Sequence, residues 1–137
     1  MSSLASYLLV ATVIVSALAD LPSVHEKPVN MTLSTGDRLT LRIPSATTIW
    51  HREFSDGRAK QYVEACNEYL DVCEKWRSGT LGKDHHDGKV TVAKDGTLDM
   101  PTVTSSDSAQ YYTYYADNTG LYHYVYFNVV VAGPKSG

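Results

Sequence analysis

The chain has 137 residues, a formal net charge of −3 and only two cysteines, and 43% of its residues are hydrophobic against 20% charged. That length suits one ordinary domain with a core of its own. The slightly acidic balance supplies no basic field for a phosphate backbone, so nucleic acid is excluded as a first choice of partner.

The chain begins MSSLASYLLVATVIVSALAD, with no charged side chain before Asp20 and an apolar run from Tyr7 to Ala19. The run is short for a membrane span, and Ala17 and Ala19 put small residues where a signal peptidase looks. Residues 1–19 are therefore expected to be a signal peptide, leaving 20–137 as a single secreted, extracellular domain. The missing Lys or Arg at the start leaves an uncleaved anchor as the alternative. No second long apolar segment follows, so the mature chain is expected to have no membrane span. The end, VVVAGPKSG, lacks the hydrophobic stretch of a lipid-anchor signal. Asn30-Met31-Thr32 is the one N-glycosylation sequon, which makes Asn30 a candidate glycan site.

Leu39, Leu41 and Ile43 alternate with Arg38, Thr40 and Arg42, the period-two pattern of a half-buried strand. Ser34 to Asp37 supplies turn chemistry before it, and Pro44 closes it. TTIWHREF reads as a second strand ending at Ser55-Asp56-Gly57. In GKVTVAKDGTLDMPTV two short strands flank Asp95-Gly96, a strong hairpin signal. The last part, AQYYTYYADNTGLYHYVYFNVVV, places two aromatic and β-branched strands around Asp117 to Gly120. Seven to nine such strands predict an all-β sandwich.

Residues 59–77 fit two structures. Positions 62, 66, 69, 70, 73 and 76 form an apolar stripe at helical spacing. Seven residues of helix, however, would hold Cys66 and Cys73 roughly 10 Å apart, beyond disulfide reach. Thiols in an oxidising compartment usually pair, which asks for a hairpin or bent loop. A Cys66–Cys73 bridge is expected, with a helix carrying unpaired or intermolecular thiols as the alternative.

Asp107-x-Ala109-x-Tyr111-x-Thr113 resembles the Asp-x-Ala-x-Tyr-x-Cys signature of strand F in immunoglobulin domains. GDRLTLRI is similar to their strand B, with Ile43 at the position of the first core cysteine, and Trp50 looks like their strand C tryptophan. The resemblance covers roughly Pro28 to Val131 and implies an immunoglobulin-like antiparallel β-sandwich of Greek-key topology, with a short helix or extra hairpin between strands C and D. It departs from the family in lacking both core cysteines. Ile43 and Thr113 would then face each other beside Trp50, with burial replacing the covalent link. Tyr111 would be the corner tyrosine, and Asp107 would pair with Lys89.

Strand parity locates a candidate surface. With Tyr111 and Thr113 inward, Tyr112 and Tyr114 point outward; with Phe127, Val129 and Val131 inward, Tyr122, Tyr124 and Tyr126 join them. Trp50 inward sends His51 and Glu53 to the same face. Tyrosine offers contact area, a polar tip and low entropy cost, which suits recognition of an extracellular protein, or of a second copy in an adhesion role. Aromatic pairs that only stiffen the sheet are the bland alternative. His85, His86 and Asp87 invite a metal-dependent enzyme, but adjacent side chains on extended chain diverge and no third histidine or thiolate has ligand spacing. No nucleophile elbow, paired acidic motif or phosphate loop is present, so neither catalysis nor a cofactor or metal is expected.

Overall fold

The computed structural model describes residues 23–86 and 88–133. The signal-peptide assignment for 1–19 and the side chain of Asp87 lie outside the described residues. Among the described residues eleven strands run in chain order, and they form one sheet of eight strands and one of three.

Two N-terminal strands, β1 (Ser23–His25) and β2 (Val29–Ser34), are separated by Pro28, whose lack of an N–H interrupts the ladder. Both pair parallel with the long last strand, β11 (Tyr122–Ala132). The rest of the large sheet is antiparallel. β11 pairs with β10 (Ala109–Ala116), and β10 with β4 (Ile49–Glu53). Then follow β5 (Gln61–Glu64), β6 (Trp76–Ser78) and β7 (Asp84–His86). The small sheet has β9 (Leu98–Met100) between β3 (Leu39–Leu41) and β8 (Thr91–Val92).

The fold is an immunoglobulin-like β-sandwich: β3, β9 and β8 stand as strands B, E and D, and β4, β10 and β11 as C, F and G. Alternation dictates the core. Leu39, Leu41, Leu98 and Met100 from one sheet meet Trp50, Val63, Trp76, Tyr111, Val129 and Val131 from the other, all buried.

The hairpin turns are set by local chemistry. At Asp117 to Leu121, the Asp117 carboxylate accepts from the backbone N–H groups of Thr119 (2.8 Å) and Leu121 (3.0 Å). At β8–β9, Gly96 has φ +89°, and its carbonyl accepts the Trp50 indole N–H at 2.8 Å. A Cβ at Gly96 would sit 2.7 Å from the backbone nitrogen of Thr47, so this turn requires glycine twice over.

Residues 59–77 form a hairpin, not a helix. β5 and β6 pair antiparallel, and the loop between them is closed by the Cys66–Cys73 disulfide, whose Cα atoms lie 4.9 Å apart. Two members of the apparent helical stripe diverge: Trp76 is fully buried, whereas Tyr69 is 84% exposed in the loop.

One expected contact is corrected. Asp107 pairs with Arg52, not Lys89: Arg52 Nη1 lies 3.0 Å from an Asp107 oxygen, while Lys89 is exposed. Arg52 shares the inward parity of Trp50, so its charge needs a carboxylate inside, and the Asp107 carboxylate is the one that meets it. The other Asp107 oxygen accepts from the Thr104 N–H at 2.8 Å, holding the short turn before β10. Thr113, in turn, is satisfied from outside β3. Its hydroxyl donates to the Ile49 carbonyl at 2.6 Å and lies 3.0 Å from the hydroxyl of buried Thr47. Ile43 lies two residues past β3, half-buried against the core.

Beneath the large sheet sits a buried polar cluster. Arg52, 4% exposed, donates from Nε to Gln61 at 2.7 Å and from Nη1 to the Tyr111 hydroxyl at 3.1 Å, while its guanidinium lies 4.1 Å from the Trp76 ring centroid. Tyr111 donates to the Asp107 carbonyl at 2.7 Å, the contact of a tyrosine corner. Burial, partly offset by Arg52, raises the Tyr111 pKa and keeps the hydroxyl protonated.

Candidate recognition face

The outer face of the large sheet is built in rows by strand register. Tyr112 stands opposite Tyr126 on β11 and opposite His51 on β4; Tyr114 stands opposite Tyr124, and Ala116 opposite Tyr122. Directly opposed side chains share a face and touch, so β-branched and aromatic preference for strand and packing of the face are one effect here.

The contacts are continuous across the sheet. His51 stacks on Tyr112 at 5.0 Å between ring centroids, Tyr112 meets Tyr126 at 5.9 Å, and Tyr114 meets Tyr124 at 5.6 Å and Tyr122 at 6.2 Å. Tyr114 and Tyr122 are 38% and 40% exposed, and the other three tyrosines are half-buried by their neighbours. Glu53, opposite Gln110 at the end of β4, is exposed at the margin of this surface.

Two further aromatic residues extend the face, and both fall in segments that sequence reasoning left unresolved. His25 on β1 stacks on Tyr124 at 4.7 Å, and its Nδ1 lies 2.6 Å from the Tyr126 hydroxyl. Tyr62 on β5 lies 6.4 Å from His51, with the Arg77 guanidinium 4.8 Å from its ring centroid. Arg77 is itself paired with Glu64. The alternation of Gln61-Tyr62-Val63-Glu64 held the signal for Tyr62, masked there by the helical stripe. Nothing in the few residues around His25 marked a strand.

The face is close to neutral at its centre. Burial first, then the Lys60 charge, holds the His51 imidazole below its usual range, so it is uncharged at neutral pH. Burial, followed by the neighbouring Tyr124 and Tyr112 hydroxyls, raises the Tyr126 pKa and keeps it protonated. Lys60 lies 5.7 Å from the Tyr112 ring centroid. At the upper end His123 points to the inner side, stacks on Tyr115 at 5.0 Å, and bridges Asp117 (2.8 Å) and Glu26 (3.0 Å). Hydrogen bonds to Asp117 and then Glu26 raise its pKa. Hydrogen bonds from Thr119, and then from His123, hold Asp117 well below the usual carboxylate range.

His85 and His86 do not converge. On β7, His86 Nε2 lies 2.7 Å from the Ser78 hydroxyl and His85 is exposed. Among the described residues, no group of three His, Cys, Asp or Glu side chains is placed to hold a metal ion, and no helix is long and apolar enough to cross a membrane.

No protein-family model matches this sequence, and no curated protein matches it significantly. Solved structures do resemble it. The first Ig-like domain of human CD48 antigen aligns at 17% identity with TM-score 0.49, over 80% of this chain and 86% of that one. The extracellular portion of mouse CD200RLa aligns at 13% identity and TM-score 0.49, over 80% of this chain and 58% of that one. The extracellular fragment of novel immune-type receptor 11 from Ictalurus punctatus aligns at 14% identity and TM-score 0.49, over 82% and 90%. At such identities the likeness concerns the fold alone, which the sheet order, the tyrosine corner and the buried strand C tryptophan establish from this chain's own residues.

Proposed function

We propose that this chain is an extracellular recognition module that binds a protein partner through the aromatic outer face of its large sheet, without catalysis. Residues 1–19 direct export in this reading, and 20–137 form the single working domain. The Cys66–Cys73 bridge supports passage through an oxidising compartment.

The observation that carries the proposal is the continuous aromatic surface formed by His25, Tyr124, Tyr126, Tyr112, His51 and Tyr62. Its side chains are held by one another, so little rotamer entropy is left to lose on binding, and each phenol keeps a polar tip. The charged groups beside these rings are Glu53, Lys60 near Tyr112 and the mutually paired Arg77 and Glu64 next to Tyr62, around a centre of neutral rings.

The test is a screen of the secreted protein against a panel of extracellular domains, with light scattering on the protein alone. Capture of a panel protein by the wild type and its loss in Tyr114→Ser/Tyr124→Ser are expected. A stable dimer abolished by Tyr124→Ser would make the partner a second copy. Capture that survives both substitutions would remove the aromatic face from the interaction.

A further inference from the structure

Below the Tyr112–Tyr126 row the same face continues as amides. Gln110 Nε2 donates to Asn128 Oδ1 at 2.9 Å, and Asn128 Nδ2 donates to Asn30 Oδ1 at 3.1 Å, a ladder across β10, β11 and β2. Asn30 and Thr32 are both exposed on β2, which pairs only with β11 among the described residues. The ladder uses Asn30 as an acceptor only, so among the described residues its Nδ2 donates to nothing. N-glycosylation joins a sugar to Nδ2 and leaves Oδ1 able to accept. The folded ladder and a glycan at Asn30 are therefore compatible.

Beside the ladder lies an open groove of about 390 Å³, where β4 and β11 diverge over the start of β10. Glu53, Ser108, Gln110 and Asn128 give it hydrogen-bonding groups, and Phe54 and Val130 give it apolar wall. Val130 is 57% exposed on the open sheet face. A sugar ring, apolar on its faces and hydroxylated at its edge, matches such a lining. With strands about 4.8 Å apart, the groove centre lies roughly two strands, about 10 Å, from β2. At that distance the groove is within reach of the sugars after the first.

We infer that Asn30 carries an N-glycan whose inner sugars lie in this groove, covering Val130 and bounding the recognition face from below. The inference rests on the export proposed above. In the transfer, the C1–Nδ2 bond forms as the C1–O bond to a lipid-linked diphosphate donor breaks, Nδ2 gives up a proton, and the lipid diphosphate leaves. A partner's footprint is then confined to the tyrosine rows.

The test is hydrogen exchange on the glycoprotein secreted by eukaryotic cells. The folded wild type is compared with itself after an endoglycosidase has trimmed the glycan to one sugar, and with Thr32→Ala, which keeps Asn30 and its ladder. Slower exchange of peptides spanning Ser108–Gln110 and Asn128–Val130 in the full glycoform is expected, several-fold, with the β8–β9 hairpin unchanged. Equal exchange in full and trimmed forms would overturn the seating in the groove. A secreted, disulfide-bonded chain without sugar at Asn30 would overturn the site while leaving export intact. A chain retained inside the cell, reduced and unglycosylated, would overturn export and the inference with it.

Discussion

Replacing Arg52 by methionine keeps most of the side-chain volume and removes the charge. In the folded protein that charge is 4% exposed, 3.0 Å from Asp107 and 4.1 Å from the Trp76 ring centroid, and its Nε is bonded to Gln61. Removing one partner of a buried ion pair costs about 3–5 kcal/mol, because the remaining charge is left without compensation. Asp107 keeps its bond from the Thr104 N–H and its side chain is 16% exposed, which places Arg52→Met near the lower end, about 3 kcal/mol. The double variant Arg52→Met/Asp107→Asn is expected to cost less than the sum of the two single changes, since each single change breaks the same pair and strands its other member. Lys89→Ala, at an exposed position, is expected to stay within about 0.5 kcal/mol of the wild type. Urea unfolding of the wild type and these four variants measures all of this. A loss under about 1 kcal/mol for Arg52→Met, or additivity with Asp107→Asn, would refute the buried pair.

Other substitutions test separate parts of the fold. Gly96→Ala is expected to lower stability by more than about 1 kcal/mol, because alanine must adopt a positive φ and its Cβ meets Thr47; equal urea midpoints would contradict that packing. Cys66→Ser/Cys73→Ser opens a loop with sequence separation 7, which the chain-entropy relation values at about 2.5 kcal/mol, and hydrogen exchange should quicken in residues 65–75 before the core. The two perturbed histidines bend the pH profile in opposite directions. His123 has a raised pKa in the fold, so its contribution is full below about pH 6.5 and is lost as pH rises through the folded value; His123→Gln should flatten that limb of a melting-temperature profile. His51 has a lowered pKa, so its contribution is present above about pH 6.5 and is lost as pH falls through the folded value; His51→Phe should remove that loss.

Much of the sandwich was legible because side-chain alternation and burial are the same fact written twice. Leu39 and Leu41, Trp50, and the Tyr111 and Thr113 pair gave inward positions, and the turn residues at Asp95-Gly96 and Asp117 to Gly120 gave the hairpins. Parity also brought five tyrosines and His51 together, where the register places them. The same parity held a further consequence: an arginine two residues after an inward Trp50 must itself be inward and must find a carboxylate. Lys89 looked like the partner of Asp107 only while that cation was left out. Residues 59–77 were ambiguous for a physical reason. Helix propensity and an apolar stripe are local, whereas the disulfide and the docking of Trp76 into the core are tertiary, and the tertiary terms prevail. His25 could not be read at all, because a three-residue strand at the edge of a sheet owes its conformation to β11 rather than to its own sequence.

The most direct test of recognition through the aromatic face is to measure the affinity of a partner from the extracellular panel for three proteins: the wild type, Tyr114→Glu/Tyr124→Glu, and Thr91→Glu on the opposite sheet. Loss of about 30-fold or more in the tyrosine variant, the effect of removing a hot spot, with no change in Thr91→Glu, is the expected result. Unchanged affinity in a folded tyrosine variant, or an equal loss in Thr91→Glu, would contradict it.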